Sequence, residues 1–161
     1  MDYLWSPWRY RYISNTAPAS GCIFCKKAEQ GNDALNLVLH RGEHTFILLN
    51  RYPYTSGHLM IAPYAHVPTL EQADEASAAE MMRFARLSEK HIRAVYKPDG
   101  LNIGMNIGAS AGAGIAGHIH MHVLPRWTGD SNFMTTVGET RVLPEDLEAT
   151  YERLRQAFTA S

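Results

Sequence analysis

Three histidines alternate with apolar residues in the stretch GHIHMHVLPRW, positions 117–127. The histidines are His118, His120 and His122. A period of two is typical of a β-strand, in which every second side chain lies on the same face. Histidine is a poor strand former, and three neighbouring imidazoles repel one another once protonated. The spacing therefore predicts a chemical role: a metal site, a nucleophile with its partners, or both.

A second group with chemical potential is the Cys-x-x-Cys pair Cys22 and Cys25. This spacing is typical of a zinc site or of a redox pair. A thioredoxin-like redox pair follows a strand, and the upstream Ala/Pro/Ser stretch does not have a strand pattern. A structural zinc needs two further ligands, usually histidines. The chain offers His40, His44, His58, His66, His91 and the three alternating histidines. We expect His91, which lies beside Lys90 on a helix, to be solvated.

The stretch before the histidine strand, residues 108–117, is rich in glycine. Its glycines are Gly108, Gly112, Gly114 and Gly117. Glycine lets successive backbone N–H groups turn toward one point, which suits phosphate oxygens. The stretch lacks the Gly-Lys-Ser/Thr of a P-loop, and no helix follows it as in a dinucleotide fingerprint. A phosphate loop and a flexible hairpin loop both fit this pattern.

The elements around these groups predict an α+β domain. Residues 36–50 predict a hairpin that turns at Gly42, and residues 57–63 predict another short strand. Residues 101–108 predict a strand that enters the glycine-rich stretch.

Two helices complete the predicted domain. Residues 69–97 predict a long helix that begins with a capping box formed by Thr69 and Gln72. Its apolar residues recur at helical spacing and predict a core face: Met81, Phe84, Ala85, Ile92 and Val95. Pro144 is expected to open a final helix that reaches about Phe158.

Bulk properties limit the partners. The chain has 161 residues and a formal net charge of −1 at pH 7, and we predict a single domain over residues 1–161. It has no basic run and no apolar run of about 20 residues, so we expect neither a nucleic-acid polymer nor a membrane as partner. The amino terminus lacks the apolar region of a secretory signal, and the two close cysteines favour a reducing, cytoplasmic setting.

Residues 1–20 are predicted to form an N-terminal arm. Its stretch LWSPWRYRYI mixes aromatic and basic residues, a combination that can stack bases. The alternative is an arm folded over the body or over a second subunit. We favour the second interpretation, because the charge is local and small.

These motifs together resemble the histidine triad (HIT) family of nucleotide-processing enzymes. The family pattern His-φ-His-φ-His-φ-φ, with φ apolar, is complete from His118 to Leu124. NRYPYTSGHLMIAPYAH resembles the first-half signature of the family, and NIGASAGAG resembles its phosphate-side loop. PRWTGDSNF and LWSPWR are similar to a bacterial branch that includes diadenosine tetraphosphate phosphorylases. The resemblance implies an α+β fold with an antiparallel sheet, a long helix and a C-terminal helix, assembled as a dimer.

The resemblance also implies a mechanism. His120 would attack the α-phosphorus of a nucleotide and form a nucleotidyl-imidazole intermediate. This needs a neutral imidazole with one bare nitrogen, so its other N–H should be held by an acceptor such as a backbone carbonyl. His122 would hydrogen-bond the phosphate or its leaving oxygen.

The remaining site residues of the family match as follows. His58 would orient the triad, and Asn50 would contact ribose hydroxyls. Asn106 and the loop N–H groups would stabilise charge on the phosphoryl oxygens. The implied substrate-binding residues are therefore His58, Asn50, Asn106, Gly112, Gly114, Phe24, Leu48 and Trp127. Ile23, Phe24 and Leu48 are candidates for an apolar base pocket, or else simple core residues. Many relatives carry Ser or Thr just before the triad, and residues 113–115 of this chain have no hydroxyl.

Zinc-containing members of the family use two cysteines, a histidine after a strand and the first triad histidine. The matching residues are Cys22, Cys25, His66 and His118. The resemblance thus implies a structural Zn²⁺ and divides the triad, with His118 structural and His120 and His122 catalytic.

The acceptor of the nucleotidyl group stays open at this level, because water and inorganic phosphate require the same chemistry at His120. Arg126 and Trp127 are candidates to hold phosphate and exclude water, or else a surface charge and a packed ring. The resemblance favours phosphorolysis of dinucleoside polyphosphates such as diadenosine tetraphosphate. The alternatives are a phosphoramidate or adenylate hydrolase of the same family, a three-histidine zinc hydrolase, and a nucleotide-binding module without turnover.

Overall fold

The structure, a computed structural model, describes residues 21–138 and 143–160. The predicted N-terminal arm, residues 1–20, lies outside the described residues. The strands are β1 (Val38–Arg41), β2 (Thr45–Leu49), β3 (Leu59–Pro63), β4 (Gly100–Met105) and β5 (Met121–Arg126). The α-helices are α1 (Ile23–Glu29), α2 (Asp33–Asn36), α3 (Glu75–Tyr96), α4 (Phe133–Thr136) and α5 (Leu147–Thr159). A 3₁₀ turn spans Ala109–Ala111.

The strands form one antiparallel sheet in the order β1-β2-β3-β5-β4. Helices α3 and α5 cover one face and enclose the larger core, which includes Ile61, Met81 and Leu154. The opposite face carries a smaller core against α1, with Phe24 and Leu48 buried in it. The predicted α+β class, antiparallel sheet, long helix and C-terminal helix are therefore confirmed. In the part of the chain that the structure describes, no helix is long and apolar enough to cross a membrane.

The histidine strand begins later than predicted. Pairing with β3 and β4 starts at Met121, so His118 and His120 precede the regular ladder. The alternation nevertheless holds, because Ile119, Met121 and Val123 are all buried.

Both predicted helix starts are wrong. Helix α3 begins at Glu75, because the Asp74 side chain caps it by accepting the N–H of Ser77 at 2.7 Å. The predicted Thr69 bond to the Gln72 N–H exists at 3.3 Å, but it closes a separate turn. Helix α5 likewise begins at Leu147, capped by Asp146, and not at Pro144. A carboxylate accepts the first free N–H groups of a helix well and also suits the helix dipole.

His91 is not solvated as expected. It is 5 % exposed, and its ring lies 4.4 Å from the Phe158 ring of α5. The C-terminal helix packs on this face of α3. The charged sequence neighbours of His91 gave no indication of that packing.

The β1–β2 turn is fixed by a buried carboxylate of α3. Glu80 accepts N–H groups of Glu43, His44 and Thr45. Burial alone raises the pKa of Glu80, but these hydrogen bonds outweigh it and lower the pKa. The helix approaches so closely that a Cβ on Gly42 would lie 2.5 Å from the Phe84 ring, which explains the glycine there.

Replacing Glu80 with glutamine should lower the free energy of unfolding by about 2–3 kcal/mol, because a buried charged acceptor of several N–H groups is lost. The measurement is urea unfolding at neutral pH. The matched control is Glu89→Gln on the same helix, whose exposed pair with Arg93 should contribute less than about 1 kcal/mol. Equal losses in the two variants would contradict the role of Glu80.

Candidate active site and metal centre

His120 is held as a neutral imidazole with a defined tautomer. Its Nδ1 lies 2.9 Å from the backbone carbonyl of His118, and since a carbonyl only accepts, Nδ1 must carry the proton. The side chain is buried under the Phe24 ring, 4.8 Å away. Burial lowers the pKa of His120 and outweighs the opposing effect of the carbonyl bond. Nε2 is thus left with a lone pair, the arrangement a nucleophile needs.

His58 and His122 form a second, directional pair. The Tyr54 backbone N–H donates to Nδ1 of His58 at 3.2 Å, and the Asn50 amide nitrogen lies 3.4 Å from the same atom. Because Nδ1 of His58 accepts, its proton is on Nε2, which lies 2.8 Å from Nδ1 of His122. His122 therefore accepts at Nδ1 and carries its own proton on Nε2. It presents an N–H donor on the side away from His58.

Burial and mutual proximity keep these two imidazoles neutral. Burial first, and then the neighbouring His122 and His120, lower the pKa of His58 to about 3. Burial first, and then His120, lower the pKa of His122 to about 4. Both values lie below the ordinary 6.5, so the donor direction of the pair holds across the neutral range.

These lowered values predict acid sensitivity. As pH falls below about 6.5, His58 and His122 of the unfolded chain bind protons while those of the folded protein do not. Stability present above that pH should therefore decrease toward about pH 4. In His58→Gln one such group is gone, so its unfolding free energy should depend less steeply on pH. Urea unfolding between about pH 7.5 and pH 5 compares the unaltered protein with His58→Gln. Parallel pH profiles of the unfolding free energy would contradict the lowered pKa of His58.

The four predicted metal ligands lie together. Their donor atoms, one each from Cys22, Cys25, His66 and His118, are all within 4.8 Å of one another. Nδ1 of His118 is 3.3 Å from the Cys22 sulfur, 3.7 Å from the Cys25 sulfur and 3.3 Å from Nδ1 of His66. Ligands at zinc–sulfur and zinc–nitrogen bond lengths in a tetrahedron are separated by about 3.3–3.8 Å. The group can therefore hold a metal ion.

The outer contact of His118 supports the same use. Its Nε2 lies 2.9 Å from the Pro63 carbonyl, so Nε2 carries the proton and Nδ1 is free to ligate. Metal-bound histidines usually donate their other N–H in this way. The three triad histidines, by contrast, direct Nδ1 to different partners: the cysteines, the His118 carbonyl and His58. This geometry does not favour a three-histidine metal site.

The glycine-rich loop offers backbone donors. Gly112 has φ of 88° and ends the Ala109–Ala111 turn in the left-handed region, where a side chain would be strained. Within residues 21–138 and 143–160, the N–H groups of residues 114–117, which include Gly114, have no hydrogen-bond partner. Asn106 lies half-buried just after β4, at the start of the same loop.

Asn50, predicted to contact ribose, also has an internal role. Its Oδ1 accepts the Tyr52 N–H at 3.0 Å, and its amide nitrogen faces His58. Asn50 is half-buried, and its contact with His58 places it next to the partner of His122.

Four other candidate residues already have structural partners. Phe24 is 1 % and Leu48 0 % exposed, so both are packed in the smaller core, whereas Ile23 is 37 % exposed. Trp127 packs edge-on against Tyr96 at 6.4 Å. Arg126, considered as a phosphate ligand, is bound by both oxygens of Asp130 and by Asn102. These side chains have structural partners that local sequence patterns do not indicate.

Tyr54 is a site residue that the sequence did not identify. Its backbone fixes the proton of His58, and its ring lies 4.8 Å from the His58 ring and stacks on His122 at 6.2 Å. The turn-rich sequence before His58 gives no periodic signal, because irregular backbone sets these contacts.

Comparison with known proteins identifies the family. The model of the HIT domain matches residues 32–129. The chain is 39 % identical to an AP-4-A phosphorylase of Mycobacterium tuberculosis over 157 residues, covering 93 % of this chain and 80 % of the relative. A zinc-bound histidine triad family protein from Mycobacterium smegmatis superposes with a TM-score of 0.69 at 27 % identity, over 87 % of this chain and 94 % of the other. A hypothetical histidine triad nucleotide-binding protein from Sulfolobus tokodaii gives 0.66 at 27 % identity, over 86 % and 93 %. The chain belongs to the HIT domain family.

Proposed function

We propose that this chain is a nucleotidyltransferase that cleaves dinucleoside polyphosphates, such as diadenosine tetraphosphate, through a covalent intermediate on His120. The observation that carries the proposal is the hydrogen bond from Nδ1 of His120 to the His118 carbonyl. It leaves Nε2 as a neutral nucleophile in a buried site, where no proton must be removed before attack.

In the first step, Nε2 of His120 attacks the α-phosphorus, a P–N bond forms, and the P–O bond to the rest of the polyphosphate breaks. The Nε2–H of His122 hydrogen-bonds the leaving oxygen. A polyphosphate leaves as an anion, so His122 need not give up its proton. The loop N–H groups of residues 114–117 and Asn106 stabilise the charge on the phosphoryl oxygens.

In the second step, an oxygen of inorganic phosphate attacks the same phosphorus and the P–N bond breaks. The nucleotide leaves as a nucleoside diphosphate, and His120 returns to its neutral form. Similarity to an AP-4-A phosphorylase over nearly the whole chain supports phosphate over water as acceptor. Because Arg126 is already engaged by Asp130, we assign phosphate binding to the loop N–H groups instead.

Product chromatography tests this function. With diadenosine tetraphosphate and phosphate, the expected products are ADP and ATP, and cleavage of the substrate should be faster than without phosphate. Equal rates with and without phosphate, with AMP and ATP as products, would make the protein a hydrolase. Binding without any cleavage would favour the nucleotide-binding module.

We further propose that Cys22, Cys25, His66 and His118 hold a structural Zn²⁺. Two thiolates and two imidazoles form a closed set that leaves no position for substrate. When bound, the metal supplies a cross-link between α1, the segment after β3 and the triad segment. Thiolate ligands also suit the reducing, cytoplasmic setting expected from the sequence.

We propose a homodimer as the assembled form. Strand β4 is an edge of the sheet, paired only with β5 among the described strands. It is largely exposed and presents Ile103, 44 % exposed, to solvent. An exposed edge strand with an apolar side chain is a ready pairing surface for a second copy.

A further inference from the structure

A cavity of about 690 Å³ lies beside the triad and has no role in the chemistry described above. We name it the Tyr54 cavity. Its lining includes Tyr54, Ser56, Tyr96, Trp127, Glu145 and Arg153. They come from the β2–β3 loop, the end of α3, the segment after β5 and the region of α5. The volume lies within the range of about 300–1,000 Å³ that is usual for small-molecule sites.

The cavity shares a wall with the leaving-group side of the triad. Tyr54 lines it, and the ring of the same residue stacks on His122 at 6.2 Å. Ser56, also in its lining, is two residues from His58, the partner of His122. A group that departs past His122 would therefore meet this cavity.

Its walls suit a planar, uncharged group with hydrogen-bonding edges. Three aromatic rings, those of Tyr54, Tyr96 and Trp127, contribute to the lining, and such rings stack on nucleobases. Ser56 is 8 % exposed, and its hydroxyl is buried and has no hydrogen-bond partner among the described residues. A buried hydroxyl without a partner is costly, and a rotation of the Ser56 side chain toward a ligand in the cavity would satisfy it.

The charges of the lining do not favour a phosphate. Glu145 and Asp146 are carboxylates against the single cation Arg153, and the third carboxylate of the lining, Asp130, is already paired with Arg126. Arg153 is itself paired with Glu145 at 3.0 Å and lies over the Tyr96 ring. Carboxylates repel polyphosphate but accept hydrogen bonds from ribose hydroxyls and amino groups. The cavity thus fits the uncharged end of a nucleotide.

We infer that the Tyr54 cavity binds the second nucleoside of the dinucleoside polyphosphate, the one that leaves with the product and never bonds to His120. This inference rests on the proposed function. The polyphosphate would run from His120 past His122, and the nucleoside would enter between the aromatic rings and bond to the Ser56 hydroxyl.

Two substrates separate this subsite from the reaction itself. Diadenosine tetraphosphate carries the second nucleoside, and adenosine 5′-tetraphosphate has the same phosphate chain without it. In Ala149→Trp a bulky ring on α5 fills the cavity, and KM for the dinucleotide should rise about tenfold or more. The KM for adenosine 5′-tetraphosphate should change by less than about twofold. Gln156→Trp, the same substitution at an exposed position of α5 outside the lining, is the control and should leave both KM values unchanged.

Ser56→Ala provides a milder second test. It should raise KM for the dinucleotide about three- to tenfold, the effect of one hydrogen bond, without loss of thermal stability because no protein bond is removed. The control is Ser88→Ala, since Ser88 also has a buried hydroxyl without a partner in the described chain but lies outside the cavity lining. That variant should leave both KM values unchanged.

The outcomes are distinct. If the unaltered protein cleaves neither substrate, the proposed function fails and this inference with it. If it cleaves both and the variants at Ala149 and Ser56 leave the ratio of the two KM values unchanged, only the second-nucleoside subsite is overturned. A rise confined to the dinucleotide supports it.

Discussion

Replacing His120 with alanine should lower kcat for diadenosine tetraphosphate by about 10⁴-fold or more, the loss seen when a nucleophile is removed from a cooperating site. The reason is that, in the proposed mechanism, Nε2 of His120 is the atom that forms the P–N bond. Neither neighbour can substitute for it, because Nδ1 of His118 faces the cysteines and His122 presents an N–H donor.

Binding distinguishes loss of chemistry from loss of the site. In His120→Ala the loop N–H groups, Asn106 and Asn50 remain, so AMP should bind within about threefold of its original affinity. The control is His44→Ala, which alters a partly exposed histidine that has no role in the proposed reaction. This variant should keep full turnover. Turnover near the original level in His120→Ala would end the covalent account.

Removing the proposed Zn²⁺ should have the second largest effect. We expect about one zinc per chain, and Cys22→Ser or chelation should lower the melting temperature by about 10 °C or more, equivalent to about 3 kcal/mol for a domain of this size. The ligands Cys22 and His118 are 96 residues apart in sequence, so the ion closes most of the domain into one loop. Activity should fall as a consequence of the loosened His118 carbonyl, which holds His120.

Metal analysis and thermal unfolding check this expectation. The control is Ser88→Ala, which alters a buried residue of α3 and should change the melting temperature by only a few degrees. A well-ordered protein with reduced cysteines, no metal and an unchanged melting temperature after chelation would contradict the zinc site. A disulfide between Cys22 and Cys25 is the competing outcome, and mass analysis of the unreduced protein would reveal it.

Much of the site was predictable because its chemistry depends on residue types at fixed spacing. The alternation of His118, His120 and His122 requires a strand-like backbone, and the structure keeps that alternation even ahead of β5. The four metal ligands predicted through the family resemblance lie together and could hold a metal ion. The backbone acceptor for His120 was expected from the tautomer the chemistry needs, and the His118 carbonyl occupies that place.

What the sequence did not reveal depends on contacts between distant elements. The burial of His91 is set by α5, which begins more than 50 positions later. In the sequence Arg126 has no evident partner, but in the structure it binds Asn102 of β4 and Asp130. The predicted helix starts were wrong for a different reason. Thr69 and Pro144 are good local signals for a helix start, but the nearby Asp74 and Asp146 cap the helices instead. The Tyr54 cavity has no sequence signature, because four separate segments build it.

The stereochemical course at the α-phosphorus tests the covalent role of His120 most directly. A dinucleoside tetraphosphate with a chiral phosphorothioate at that position is cleaved in the presence of phosphate, and the configuration of the diphosphate product is determined. Two successive in-line displacements, first by His120 and then by phosphate, predict net retention. Inversion would mean that phosphate attacks the substrate in a single displacement, and it would contradict the nucleotidyl-His120 intermediate.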